Sequence, residues 1–250
     1  MAPAAVSAVA AAVLAAVAPA GIGSAAYEYD GRNSMKDPVN TFLTTEAQQQ
    51  IEEHIRDAEK ITSGEIVVKV VSSSDGYAKA CLLGGFIVSL LLAISAMLII
   101  GSRDMWMFLG VFAALFVAMH ELIRQSFALK RLFVSSAEKK IKVEEAAISA
   151  FYRRGIDRTV DHTGVLVYIS IFEHRVRVVA DKGINEKVEQ EVWQEIVDMI
   201  VRGVHEQSQA EALCRAVDRC GAILASHFPR KQGDRNELAD SIIFGRAAGR

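Results

Sequence analysis

The chain has 250 residues, 51% of them hydrophobic and 23% charged, with a formal net charge of −2 and a mean hydropathy of +0.22. That length suits one or two domains, and the positive hydropathy is high for a purely soluble protein. The near-neutral balance, together with the lack of a zinc-knuckle or RNA-recognition signature, excludes nucleic acid as an expected partner. Cys81, Cys214 and Cys220 are odd in number and form no C-x-x-C. Cys214 and Cys220 fall six apart on one expected helix, about 9 Å along its axis at 1.5 Å per residue, which is too far for a disulfide. This usage suits a reducing compartment.

Residues 1–39 read as a disordered or signal-like extension. Their start, "MAPAAVSAVAAAVLAAVAPAGIGSAA", is alanine-rich and uncharged. Three readings stay open. It is a secretory signal cleaved after Ala20 or Ala26, without the usual basic start; a weak third membrane segment; or a translated stretch upstream of a start at Met35.

Residues 40–78 form the first part of a domain. Thr45-x-x-Gln48 is a capping-box pattern, Ile51, Ile55 and Ala58 make an apolar stripe at helical spacing, and Gly64 is placed to end that helix. "EIVVKVV", Glu65 to Val71, is a β-branched strand run.

Residues 79–124 interrupt the domain. Ala80 to Ile100 is uncharged throughout, and Met105 to Ile123 carries His120 and Glu121 only at its far end. Each run approaches the 20 or so apolar residues that a helix needs to cross a bilayer. Gly101-Ser102-Arg103-Asp104 between them reads as a tight turn at the far surface, with Trp106 as an interfacial aromatic. The competing reading is a buried helical hairpin inside a soluble core. Lys69 and Lys79 precede the hairpin, and Arg124, Lys130, Arg131, Lys139, Lys140 and Lys142 follow it, against Arg103 alone in the turn. The positive-inside rule then puts both flanks, and the domain they belong to, in the cytoplasm.

Residues 125–228 complete the domain. Ser135-x-x-Glu138 opens a helix with an expected apolar face of Val134, Ala137, Ile141, Ile148 and Phe151, closed by Gly155. "GVLVYISIF" is apolar throughout and reads as a strand buried on both faces, while "RVRVVA" alternates like an edge strand. Two helices follow, one carrying Val188, Val192, Ile196 and Ile200. The other starts at Ser208-x-x-Glu211 and carries Leu213, Val217, Cys220 and Leu224. The order α, β, hairpin, α, β, β, α, α argues one α/β domain with the hairpin inserted after its first strand. Residues 229–250 read as a flexible polar tail.

"FLTTEAQQQIEEHIRDAEKITSGEIVVKVV", "DHTGVLVYISIFEHRVRVVADKGINEKVEQEVWQEIVDMI" and "HFPRKQGDRNELAD" together resemble the TPM-domain family, over about residues 40 to 240 as an estimate from ordered segments. That superfamily is called phosphatase-like after a thylakoid-lumen member tied to photosystem II repair. The chain is most similar to a bacterial subgroup with a paired membrane span after the first strand. "NELAD" carries Ala239 where that subgroup has proline. The resemblance implies a three-layer α/β sandwich with a small mixed sheet. It implies a protein of the bacterial inner membrane that is an accessory, assembly or binding module with a membrane-protein partner. Some family members are acid phosphatases or bind a divalent metal, so the alternative is a metal-dependent phosphatase acting on phosphate monoesters.

The residues offer that alternative one place. Asp161 ends the loop into the second strand and Asp181 ends the third, and the two ends of a strand hairpin meet in space. Asp161 and Asp181 are therefore the candidate catalytic carboxylates. With Asp157, and His162 nearby, they are also the candidate oxygen ligands for Ca²⁺ or Mg²⁺. The plain alternative is that Asp161 starts a turn before Gly164 and Asp181 makes an Asx-turn before Gly183. Whether Glu65 shares that edge depends on strand direction, which the sequence leaves open. No P-loop, G-x-S-x-G, H-E-x-x-H or C-x₅-R loop is present.

Overall fold

A computed structural model describes residues 38–231, 233 and 236–245. The three readings of the N-terminal extension fall on residues 1–37 and lie outside them. Two compact units emerge, one holding residues 77–136 and the other residues 38–76 together with 137–245.

The larger unit opens with α1 (Pro38–Phe42), α2 (Thr45–Glu59) and β1 (Glu65–Val71). The cap of α2 is Thr44, one residue earlier than the expected box, and its hydroxyl accepts from Ala47 N at 3.2 Å. The smaller unit follows with α3 (Ala78–Ile100), α4 (Met105–Gln125) and α5 (Phe127–Phe133). The chain then returns through α6 (Ser136–Arg153), a 3₁₀ turn (Ile156–Arg158), β2 (Gly164–Ser170), β3 (Arg175–Ala180), α7 (Lys182–Asn185), α8 (Gln190–His205) and α9 (Gln209–His227). It ends in β4 (Ile243–Gly245).

The sheet is small and mixed, in the order β3-β2-β1-β4. β1 runs parallel to β2 and to β4, and β2 runs antiparallel to β3. All seven residues of β2 are buried, as expected of a strand covered on both faces, and β3 at the edge is half-exposed. Alternation along β1 and β2 sends Ile66, Val68, Val70, Val165, Val167 and Ile169 to one side, where α2, α8 and α9 cover them. Val67, Val71, Leu166 and Tyr168 go to the other side, against α6. The unit is therefore a three-layer α/β/α sandwich.

One local expectation needs correction. The buried face of α6 is Val143, Ala146, Ala147, Ala150 and Phe151, whereas Ile141 is 55% and Ile148 40% exposed. The helix turns its alanines to the sheet because small side chains allow close approach, so the bulky stripe was the wrong guide. Gly203 lies inside α8. A Cβ there would stand 2.1 Å from Ala212 Cβ, so this glycine lets α8 and α9 touch.

In the smaller unit α3 and α4 form a helical hairpin, and each is long and apolar enough to cross a membrane. Its turn is built from the four polar residues. Gly101 caps α3 in the left-handed conformation at φ 72°, with its N–H on Met97 O. Asp104 caps α4 by accepting from Trp106 N at 2.9 Å. The inner face of α3 repeats every fourth residue as Cys81, Gly85, Ser89, Ala93 and Met97. Gly85 lets the helices meet, since a Cβ there would lie 3.2 Å from His120 Cα. Phe86 meets Phe112 edge-on at 5.6 Å. The outer faces expose Leu83, Leu91, Leu98, Ile99 and Trp106, with Ile99 at 86%. This is not the surface of two helices buried in a soluble core.

Candidate functional site

The parallel pairing of β1 with β2 answers the question of direction. Glu65 stands opposite Gly164, and Val165 opposite Ala180, so Glu65, Asp161 and Asp181 share one end of the sheet. The segment after α9 crosses this end. Pro229 bridges Thr62, and the Thr62 hydroxyl donates to Phe228 O at 2.7 Å. The segment read as a loose tail is thus bonded to the domain and supplies the fourth strand, which the sequence reading did not contain.

Each sequence-derived site residue has a specific place here. Asp161 is paired with Lys231, Oδ2 to Nζ, at 2.6 Å. Asp181 is the N-cap of α7. Its Oδ1 accepts from Lys182 N at 2.6 Å, and its Oδ2 lies 3.3 Å from His162 Nδ1. The backbones of Asp161 and His162 pack against Gly183, where a Cβ would come within 2.7 Å of His162 O. Asp161, His162 and Asp181 are therefore brought to one neighbourhood. Asp157 begins the same connection, in the 3₁₀ turn, and its Oδ1 is buried with no hydrogen-bond partner among the described residues.

Those side chains do not make a cage. Among the described residues, no three His, Cys, Asp or Glu gather closely enough to hold a metal ion. As placed, the set does not fit Ca²⁺, which takes six to eight oxygens, or Mg²⁺, which demands near-octahedral geometry. Asp161 is committed to a lysine and Asp181 to a helix end.

Two carboxylates whose pKa the fold raises lie a short way along the same end. Glu59 and Glu65 line a cavity of about 210 Å³ with Arg56, Lys60, Arg230, Asn236 and Asp240. Glu65 is 6% exposed, and its two oxygens accept Glu237 N at 3.1 Å and Leu238 N at 3.2 Å. Burial raises its pKa, the two N–H bonds oppose the rise, and the charges of Glu237 and Asp240 add to it. Glu59 Oε1 accepts Ile66 N at 3.0 Å, and Asn236 bridges Glu59 and Asp240. Burial pushes the Glu59 carboxyl up to about 8, reinforced by Glu65 and Asp240. A carboxyl held near neutrality can exchange a proton at physiological pH. Here, however, the first task of both acids is to hold the crossing segment in place. The sequence reading missed Glu59, Asn236 and Asp240. The signal lay in "NELAD", which supplies Asn236, Glu237, Leu238 and Asp240 at spacings that make sense only once that segment lies on β1.

Comparison with known proteins agrees with this geometry. The family model described as TPM domain matches residues 126–223. No curated protein matches the chain. Among solved structures, the NMR structure of BA42 protein from the psychrophilic bacterium Bizionia argentinensis sp. nov. is similar, with a TM-score of 0.52 and 24% identity. The match covers 82% of this chain and 96% of that one, and at this identity it speaks for fold alone. β1 lies ahead of the matched residues, yet it pairs with β2 along its whole length, so the domain needs both sides of the hairpin. Residues 126–223 thus match the TPM domain, and the sheet they contribute to is completed by strands from either side of them.

Proposed function

We propose that this is a membrane-anchored TPM-domain protein of the bacterial inner membrane, working as an accessory or binding module for a membrane-protein partner from the cytoplasmic side. The observation that carries the anchoring is the outer face of the hairpin. Leu83, Leu91, Leu98 and Ile99 are exposed on the 23-residue α3, and Met105, Trp106 and Leu109 on the 21-residue α4, and an apolar surface of that kind belongs in lipid. The basic residues on both flanks support the cytoplasmic side. What supports binding over catalysis is the employment of the carboxylates: Asp161, Asp181, Glu59 and Glu65 each hold a piece of the fold. The test is a reporter fused after Arg250. Cytoplasmic behaviour is expected, and periplasmic alkaline-phosphatase activity with Ala26 or Ala20 as the last residue removed would reverse the orientation.

A second reading, a metal-dependent phosphatase using Ca²⁺ or Mg²⁺ at Asp157, Asp161 and Asp181, is favoured by one observation, the partnerless buried Oδ1 of Asp157. A divalent ion would need Asp161 to leave Lys231 and Asp181 to turn from His162. Under this reading the metal raises thermal stability, by about 2.7 kcal/mol at a hundred times Kd. Asp181→Asn abolishes the gain and any hydrolysis of an aryl phosphate, since asparagine caps a helix as well as aspartate does. Under the accessory reading neither the metal nor the substitution changes anything measured.

A further inference from the structure

β3 is an edge strand with its outer side open. The Asp181 N–H donates to Gly164 O at 2.9 Å, so Asp181, Val179 and Arg177 turn their backbone groups toward β2. Antiparallel pairing alternates these groups, and Val178 and Ala180 therefore turn theirs outward. Asn185 closes the far end of this row, its Nδ2 donating to Ala180 O at 2.7 Å. The N–H and C=O of Val178 and the N–H of Ala180 have no partner among the described residues. This row is the floor of a cleft of about 420 Å³. α6 makes one wall through Ile148, which is 40% exposed, and α8 makes the other through Trp193 and Val197. Trp193 is 7% exposed, and its indole Nε1 is buried with no hydrogen-bond partner among the described residues. A buried tryptophan N–H usually finds an acceptor, so a residue lining the cleft carries a donor that the described fold does not use.

We propose that this cleft takes an extended segment of a partner protein, added to the sheet beside β3, with one of its carbonyls on Trp193 Nε1. The proposal rests on the binding-module reading and gives it a surface. Spacing selects the class of ligand. The N–H groups of Val178 and Ala180 stand two residues apart, about 6.6 Å at 3.3 Å per residue, which is the repeat of carbonyls along one side of an extended chain. An added strand answers donors and acceptors in turn, and its main-chain bonds supply affinity while side-chain pockets supply specificity. Charge selects the side chains. The lining carries one residue of each sign, Arg177 and Glu191. Arg177 pairs at 3.0 Å with Glu144, which lies outside the lining, and Glu191 is exposed to solvent. Neither charge is left buried for a ligand to answer, so the segment is uncharged, its apolar side chains alternating between the Ile148 and Trp193 walls. A second copy of β3 fits worse. It would bring Arg175 and Arg177 beside Arg177, and like charges opposed across a strand pair are destabilising.

The test selects from a phage-displayed library of random heptapeptides on the full chain in nanodiscs of neutral phosphatidylcholine. Enrichment of uncharged sequences with alternating apolar residues is expected. The best of them, made with capped ends and a fluorophore, is then titrated by fluorescence polarisation. Methylating its backbone nitrogens one at a time should weaken binding about tenfold at alternate positions and spare those between, since only every second N–H of an added strand faces β3. Gln194→Trp, at an exposed residue of the cleft, should abolish binding by filling it. Trp193→Phe should weaken it about tenfold by removing the indole donor. No enrichment above empty nanodiscs, equal tolerance of methylation at every position, or indifference to either variant overturns the proposal. Displacement of the peptide by the chain's own RVRVVA as readily as by itself assigns the cleft to a second copy and overturns the partner assignment. Each of these leaves the anchored reading to the reporter fused after Arg250. A periplasmic reporter with the peptide still bound removes the cytoplasmic side and keeps the cleft.

Discussion

Replacing Glu65 by alanine should detach the segment that carries β4 while sparing the rest of the sandwich. The side chain accepts from two backbone donors, Glu237 N and Leu238 N, at 3.1 and 3.2 Å. Hydrogen bonds to a charged group contribute about 1.5–3 kcal/mol each. Part of that sum returns on removal, because the buried carboxylate resists ionisation, as its raised pKa records. A net local loss of about 3 kcal/mol follows, which is roughly a hundredfold in an opening equilibrium at 1.4 kcal/mol per factor of ten. Other anchors remain, including Ile242 N on Glu52 at 3.1 Å and the β1–β4 ladder. The segment should therefore open more often without unfolding the domain. Hydrogen exchange read by mass spectrometry on the full chain measures this directly. Peptides over 236–245 should exchange about a hundredfold faster, and those over β2 should not change. Glu65→Gln keeps one acceptor and should show roughly a tenfold effect. Unchanged protection at 236–245, or equal loosening of β1 and β2, would refute the assignment of Glu65 as the latch.

Glu59 makes the same end sensitive to pH. Its folded pKa of about 8 stands above the ordinary 4.5, so the fold binds the proton more tightly than the unfolded chain; its contribution is complete below about pH 4.5 and is lost as pH rises through about 8. Protection of 236–245, corrected for intrinsic exchange, should fall between pH 5 and pH 9, and Glu59→Gln should flatten that slope. In the hairpin, Gly85→Leu should lower thermal stability in detergent far more than Gly85→Ala, since the alanine Cβ meets His120 Cα at 3.2 Å and a small shift relieves it; equal effects would mean that the helices do not approach there. On α6, Ile141→Ser should stay within about 0.5 kcal/mol of the wild type, as exposed substitutions do, while Ala147→Leu should cost about 1–3 kcal/mol by overpacking, both measured by chemical denaturation in micelles.

Much of the architecture was legible because it rests on local rules. Two apolar runs of bilayer length, the second charged only at its far end, separated by Gly-Ser-Arg-Asp read as a paired helix with a capped turn, and the caps used are Gly101 and Asp104. β2 reads as a doubly buried strand from "GVLVYIS" alone, because only such a strand can hide apolar residues at every position. Asp161 and Asp181 were correctly expected at one end of a strand pair, since antiparallel pairing forces it. The face of α6 was misread for a definable reason. Periodicity weights bulk, and this helix packs by its alanines.

What composition, periodicity and caps determined by themselves was the element order, the inserted hairpin, its apolar character and the α/β class. Strand direction, the fourth strand and the partner of every carboxylate were decided only by the tertiary fold. The parallel alignment of β1 with β2 put Glu65 beside Asp161's end of the sheet, and the return of Lys231 and of residues 236–238 to that end gave Asp161, Glu59 and Glu65 partners there. The reason is physical. A helix or a span is held by contacts three or four residues apart, which a sequence displays. The bonds from Glu65 to Glu237 and from Asp161 to Lys231 join residues 172 and 70 positions apart, and such a pairing exists only once the whole chain has closed around its sheet.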